Sequence, residues 1–159
     1  MPEMVALKKL PAQTVVYKSG KGPYDLIPDT VQELNLWIKE NGHTPAGQPI
    51  GVFLNNPYLP PEELLWEVRI PLKTSASLSH PHTDTAPGLK EIPDREVLVT
   101  THEGSLDTLG SALQGLIRFM VANGYRLAAP PELVFLKDLV TTPAHQLEGE
   151  IRLTVEKRA

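Results

Sequence analysis

The chain contains no cysteine. Disulfides, thiolate metal sites and cysteine nucleophiles are therefore excluded. No stretch approaches the roughly 18 apolar residues that read as a membrane span. The N-terminal MPEMVALKKL lacks the long apolar core of a secretion signal. Neither GxGxxG nor a Walker A phosphate loop occurs, and Gly20-Lys21-Gly22 reads as a turn, so no cofactor is expected. Positive charge is not in excess. The formal net charge is −4, whereas a nucleic-acid surface needs clustered lysine or arginine. The expectation is a cytoplasmic protein that contacts neither nucleic acid nor membrane directly.

What is present suits a folded domain. The 159 residues are 41% hydrophobic and 21% charged, enough for one ordinary domain or two small fused units with a real core. The 16 prolines fall mostly between periodic segments, where they stiffen loops.

The sequence matches itself at an offset of 82 residues. GPYDLIPDTVQELNLWIKENG, from Gly22, falls on GSLDTLGSALQGLIRFMVANG, from Gly104. Asp25 meets Asp107, Gln32 meets Gln114, Leu34 meets Leu116, and Asn41-Gly42 meets Asn123-Gly124. Val52-Phe53-Leu54 meets Val134-Phe135-Leu136. After one inserted residue, Glu67 meets Glu150 and Arg69 meets Arg152. The halves are expected at 1–73 and 94–159, joined by a Ser-, Thr- and Pro-rich linker over 74–93.

Each half reads β-α-β-β. The first strands are Thr14–Lys18 and Glu96–Thr101. Helices are expected at Ile27–Glu40 and Leu109–Ala122, where apolar residues recur at helical spacing. Asn-Gly then stops each helix. Two strands close each half: Ile50–Asn55 and Leu64–Leu72, then Leu133–Lys137 and Gly149–Glu156. One such unit buries little alone. The predicted fold class is α+β, a tandem duplication forming an antiparallel sheet with helices on one face and the other face turned to water or to a cleft between the halves.

Alternation places Trp66, Val68 and Ile70 on the helix side of one strand and Glu67 and Arg69 on the other. Glu150 and Arg152 take the equivalent place in the second half. Phe53 and Phe135 are a matching apolar pair. Glu67 either pairs with Arg69 on a solvated face or lines an aromatic pocket. In the pocket, a buried carboxylate needs a compensating cation or donor and would favour flat cations through charge and cation–π contact.

The order and spacing of GPY at Gly22–Tyr24, LWIKENG, PAGQPIGVFLNNP over 45–57, WEVRIPL and GEIRLTV resemble the GyrI-like small-molecule-binding domain, the effector-binding domain attached to some AraC-type and MerR-type regulators. The resemblance covers nearly the whole chain. It implies a pocket between the halves, lined by aromatics and carrying an acidic strand residue, here Glu67 or Glu150. It implies a small lipophilic, often cationic ligand. Two alternatives are hydrolysis of strained cyclopropane-bearing compounds at the same pocket and modulation of a protein such as DNA gyrase. The family often has Tyr where this chain has Phe53 and Phe135, so chemistry needing that hydroxyl is in doubt. There is no room for a fused helix-turn-helix, and a stand-alone binding domain is expected.

Other candidates divide between packing and pocket. Trp37 and Phe119 occupy equivalent helix positions and serve as core or pocket wall. Tyr17 ends a strand and Tyr24 sits in the glycine loop, each lining a pocket or simply half-buried. Trp66 reads as core. His80 and His82 with Asp84 form suitable metal ligands, but their Pro- and Ser-rich context argues against a preformed site, and no metal is expected. His43, His102 and His145 are scattered singly, without a nucleophile partner.

Overall fold

The computed structural model describes residues 5–73, 87–104, 108–139, 141–143 and 146–157. In chain order the elements are β1 (Ala6–Leu10), β2 (Gln13–Lys21), α1 (Ile27–Glu40), β3 (Ile50–Phe53), β4 (Leu65–Pro71) and β5 (Gly88–Ile92). They continue with β6 (Arg95–Glu103), α2 (Leu109–Ala122), β7 (Tyr125–Leu127), β8 (Glu132–Phe135) and β9 (Glu148–Lys157). The fold is α+β. Both helices occupy the expected ranges. Each ends at an asparagine whose side-chain amide donates back to the carbonyl four residues earlier, Asn41 to Trp37 and Asn123 to Phe119. The next residue, Gly42 or Gly124, takes a positive φ of 70° or 80° that suits glycine.

The chain forms two compact units, Pro11–Asp94 and Met1–Leu10 with Arg95–Ala159. They differ from the repeats at 1–73 and 94–159 by an exchange of strands. β1 lies in the first expected half, 1–73, but pairs with β6, and β5 lies in the expected 74–93 linker but pairs with β2. In the Pro11–Asp94 unit the strands lie in the order β3-β4-β2-β5, in the other unit β1-β6-β9-β8, with β7 also on β9. The pairings within each unit are antiparallel. β1 (ALKKL) and β5 (GLKEI) carry charges and little alternation. Charges of that kind keep a sheet edge from aggregating, and they also hide the strand from a reading based on periodicity.

Directly paired residues share a face. In the Pro11–Asp94 unit Val16, Lys18 and Gly20 therefore lie with Ile70, Val68 and Trp66, and Phe53 lies with Trp66. This is the helix side, since Lys18 reaches Glu33 of α1 in an ion pair. Ile27, Val31, Leu34 and Ile38 of α1 are buried with it, and full burial of such a side chain contributes about 1.5–3 kcal/mol. The opposite face carries Tyr17, Glu67 and Arg69 from the same strands. The second unit repeats this plan. Leu98, Leu133, Ile151 and Leu153 form its core with Leu109, Leu113, Leu116 and Met120 of α2.

Bulk is exchanged between the units at one cross-strand pair. Gly20 faces Trp66 in one unit, and His102 faces Gly149 at the corresponding place in the other. A Cβ on Gly20 would stand 2.4 Å from the Trp66 ring, and one on Gly149 would stand 2.5 Å from Leu133 Cδ1. Trp66 cannot simply move, because it is buried and its indole nitrogen donates to the Gly22 carbonyl at 3.0 Å. Gly115 on α2 meets nothing within 4 Å of an added Cβ. Gly20→Ala is therefore expected to destabilise the fold by about 1–3 kcal/mol through overpacking. Gly115→Ala is expected to stabilise it by about 0.5–1 kcal/mol through helix propensity. Urea denaturation of the two variants checks both signs.

Candidate functional site

Glu67 is central in β4, and its side chain is only 8% exposed. Both carboxylate oxygens are engaged. Arg69 Nε donates to Oε2 at 2.5 Å, and Lys90 Nζ on β5 lies 3.0 Å from Oε1 and 2.9 Å from Oε2. The same ammonium sits 4.0 Å from the centre of the Tyr17 ring on β2. Tyr17 is opposite Arg69 and Gly88, and Lys90 is opposite Val15, so all four groups occupy the face away from α1. Burial, then the negative charge of Glu67, pushes the Tyr17 phenol above its ordinary pKa. The cluster is a carboxylate and an aromatic face converging on one cation. That cation is currently the protein's own lysine.

Glu150 has the matching partners. Arg152 Nε donates to Oε2 at 2.7 Å, and Lys8 Nζ to Oε1 at 3.2 Å. Burial acts to raise the Glu150 pKa, but the hydrogen bonds and charges of Arg152 and Lys8 outweigh it and hold the carboxyl below its ordinary value. The offset of 82 residues that aligns the repeats also aligns Lys8 with Lys90 and Val99 with Tyr17. The second cluster therefore has a valine where the first has its ring. Its lysine is looser, at 51% exposed against 32% for Lys90.

The other aromatic candidates lie elsewhere. Phe53 and Phe135 are buried on the helix side, opposite in face to Glu67 and Glu150, since they pair with Trp66 and Gly149. Tyr24 packs edge-on against Phe53 at 5.2 Å. Trp37 stacks on His43 at 5.4 Å, and Phe119 is exposed on α2. The structure thus brings Tyr17 to Glu67 and leaves Phe53, Tyr24 and Trp37 apart from it. Trp66 is core, as expected. His102 is buried, with its Nε2 3.5 Å from the Thr108 hydroxyl. His80, His82, Asp84 and His145 lie outside the described residues. Among the described residues no three acidic or histidine side chains gather as metal ligands would. No described helix is long and apolar enough to cross a membrane.

Sequence reasoning missed two features. Lys90 and Lys8 were legible in the match of ALKKLPAQ to GLKEIPDR, which runs upstream of the strands that were aligned. Glu132 gave no signal, because the repeat puts Ile50 at its place. It is almost fully buried and forked by both terminal nitrogens of Arg95, which also donates to Thr154 Oγ1 at 3.0 Å. This arrangement satisfies a buried carboxylate locally and is read as structural.

Residues 3–156 match the GyrI-like small molecule binding domain, and the chain belongs to that family. No curated protein matches the sequence. Among solved structures, the chain is similar to EcmrR in a complex with DNA, with a TM-score of 0.81 and 17% identity over 98% of this chain. It spans 58% of that EcmrR chain. The EcmrR C-terminal domain alone gives a TM-score of 0.77 and 22% identity, covering 99% of both chains. A hydrolase from Listeria innocua gives 0.71 and 14% identity, covering 96% of this chain and 91% of its own. SAV2435, solved bound to tetraphenylphosphonium, gives 0.57 and 12% identity, covering 98% and 94%. At these identities the likenesses establish the fold.

The Tyr24 hydroxyl is buried and has no hydrogen-bond partner among the described residues. Burial pushes its pKa from 10.0 up to about 12. Folding therefore favours the neutral phenol. That contribution is complete below pH 10.0 and is lost as pH rises toward about 12. Tyr24→Phe removes an unsatisfied group and is expected to leave stability at pH 7 unchanged or raise it by up to about 1 kcal/mol. It is also expected to lessen the decline above pH 10. Denaturation curves at neutral and alkaline pH test both, and a clear loss at neutral pH would reveal a partner for the hydroxyl.

Proposed function

We propose that the chain binds a small lipophilic cation, with the Glu67 carboxylate supplying charge and the Tyr17 ring supplying a π face. The observation that carries this reading is the ammonium of Lys90, held against Glu67 at 2.9 Å and over Tyr17 at 4.0 Å. A cation is stable at that point, by charge pairing and by the ring quadrupole. Glu150, with a valine in the place of that ring, is the weaker second carboxylate. Phe53, Phe135, Tyr24, Trp37 and Phe119 act as packing and surface residues rather than as ligand contacts. The tetraphenylphosphonium carried by SAV2435 supports the choice of ligand class.

Hydrolysis at Glu67 is the weaker alternative. A general base must reach a water proton, whereas both oxygens of Glu67 are occupied by cations. A protein partner such as gyrase would need a surface of its own. Exposed apolar groups in that unit include Leu54, Tyr58, Leu59 and Leu65 around the β3–β4 connection, besides Leu26 and Leu36.

Titration calorimetry with tetraphenylphosphonium tests the reading. Glu67→Gln is expected to weaken binding by about tenfold or more, the equivalent of a lost charge-assisted contact. Tyr17→Leu is expected to weaken it by about 2- to 30-fold. Glu150→Gln should have less effect than either. Thermal unfolding confirms that each variant is folded, and recovery of unchanged ligand separates binding from turnover. Equal affinity in wild type, Glu67→Gln and Tyr17→Leu contradicts the proposal.

A further inference from the structure

We propose that Lys90 is the specificity-determining residue of this site: its ammonium is a built-in occupant of the cation position, and a ligand binds by displacing it. This rests on the reading of Glu67 and Tyr17 as a cation site. Three observations carry it. First, Lys90 makes both contacts that an organic cation would make there, the carboxylate and the ring. Second, both oxygens of Glu67 already accept from cations, Oε2 from Arg69 and Lys90 and Oε1 from Lys90, so an entering cation must take the place of one of them. A further cation entering beside Lys90 would meet the like charge of its ammonium. Third, Lys90 is free to leave. Its side chain is 32% exposed, and β5 is the edge strand of its unit, paired within it to β2 alone.

The second cluster serves as an internal comparison. Lys8 faces Glu150 across the same register but has Val99 where Lys90 has Tyr17, and it stays half exposed with a single contact at 3.2 Å. The Tyr17 ring thus accompanies the deeper seating of Lys90.

Displacement sets the selectivity. Exchanging one monocation for another at Glu67 changes little in the charge balance, and the released ammonium regains water. Net affinity must then come from the apolar surface of the incoming ligand. Small, strongly hydrated ammonium ions gain nothing by the exchange. Large cations with delocalised or shielded charge do.

The test uses the full chain with wild type, Lys90→Met and Lys90→Gln. Calorimetry is run with tetraphenylphosphonium, tetramethylammonium and neutral triphenylphosphine oxide. Thermal unfolding shows which variants keep the fold, and the methionine variant retains the length of the lysine stem. Tetraphenylphosphonium is expected to bind Lys90→Met and Lys90→Gln at least about tenfold more tightly than wild type. Tetramethylammonium should become measurable only in the variants, and the neutral oxide should change by less than about threefold. Unchanged or weaker tetraphenylphosphonium binding in both variants, with the wild type still binding it, overturns the role of Lys90 and leaves the cation site standing. Equal gains for cation and neutral oxide also overturn it, because added apolarity would then be the cause. No binding of any cation by wild type or variant overturns the cation site itself.

Discussion

A carboxylate in the middle of a sheet must be compensated, and the Pro11–Asp94 unit is arranged around that demand. Desolvating an ion costs several kcal/mol unless partners replace the lost water. Glu67 meets this with Arg69 two residues along its own strand and with Lys90 from β5. The first partner comes with strand periodicity, because residues i and i+2 share a face. The second requires β5 to lie beside β2 in one register, with Lys90 opposite Val15. One buried charge thus ties together three strands, β4, β2 and β5.

The same face of the other unit meets the same demand with the same residue types and one further ion pair. Glu150 has Arg152 and Lys8, and Glu132 has Arg95. The ring of Tyr17 distinguishes the first cluster, since Val99 stands at the equivalent position of the second. Among these clusters a carboxylate, a lysine and an aromatic ring therefore converge in the first. The helix sides show a parallel exchange, with Trp66 over Gly20 in one unit and Leu133 over Gly149 in the other. Related sequences reach equal packing with the bulk on different strands, which is how cores keep total volume while residues change.

Much of the fold was legible. The helices at Ile27–Glu40 and Leu109–Ala122 were marked by apolar spacing and an Asn-Gly stop, and β4 and β9 by alternation. β1, β5 and β7 were not, because short edge strands bearing lysine, arginine and glutamate carry no strong period. Glu67 stood out as a charge inside an apolar run. Tyr17 stood among the aromatic candidates but could not be singled out as its neighbour, because sequence spacing cannot say which strands lie side by side. Phe53 is paired with Trp66 and so faces away from Glu67, while Tyr17, fifty residues upstream in sequence, is on its face. Lys90 was hidden in a stretch read as linker.

On the proposed reading, the site prefers positive charge although lysine and arginine now surround its carboxylate. Tetraphenylphosphonium and tetraphenylborate have nearly the same size and apolar surface and opposite charge, so their affinities for the wild-type chain isolate that preference. Calorimetric titration of each at low ionic strength is the most direct measurement. The account predicts that the phosphonium binds at least about tenfold more tightly, a difference of about 1.4 kcal/mol. Tighter binding of the borate would contradict it, and would mean that Arg69 and Lys90 receive the ligand while Glu67 only holds them in place.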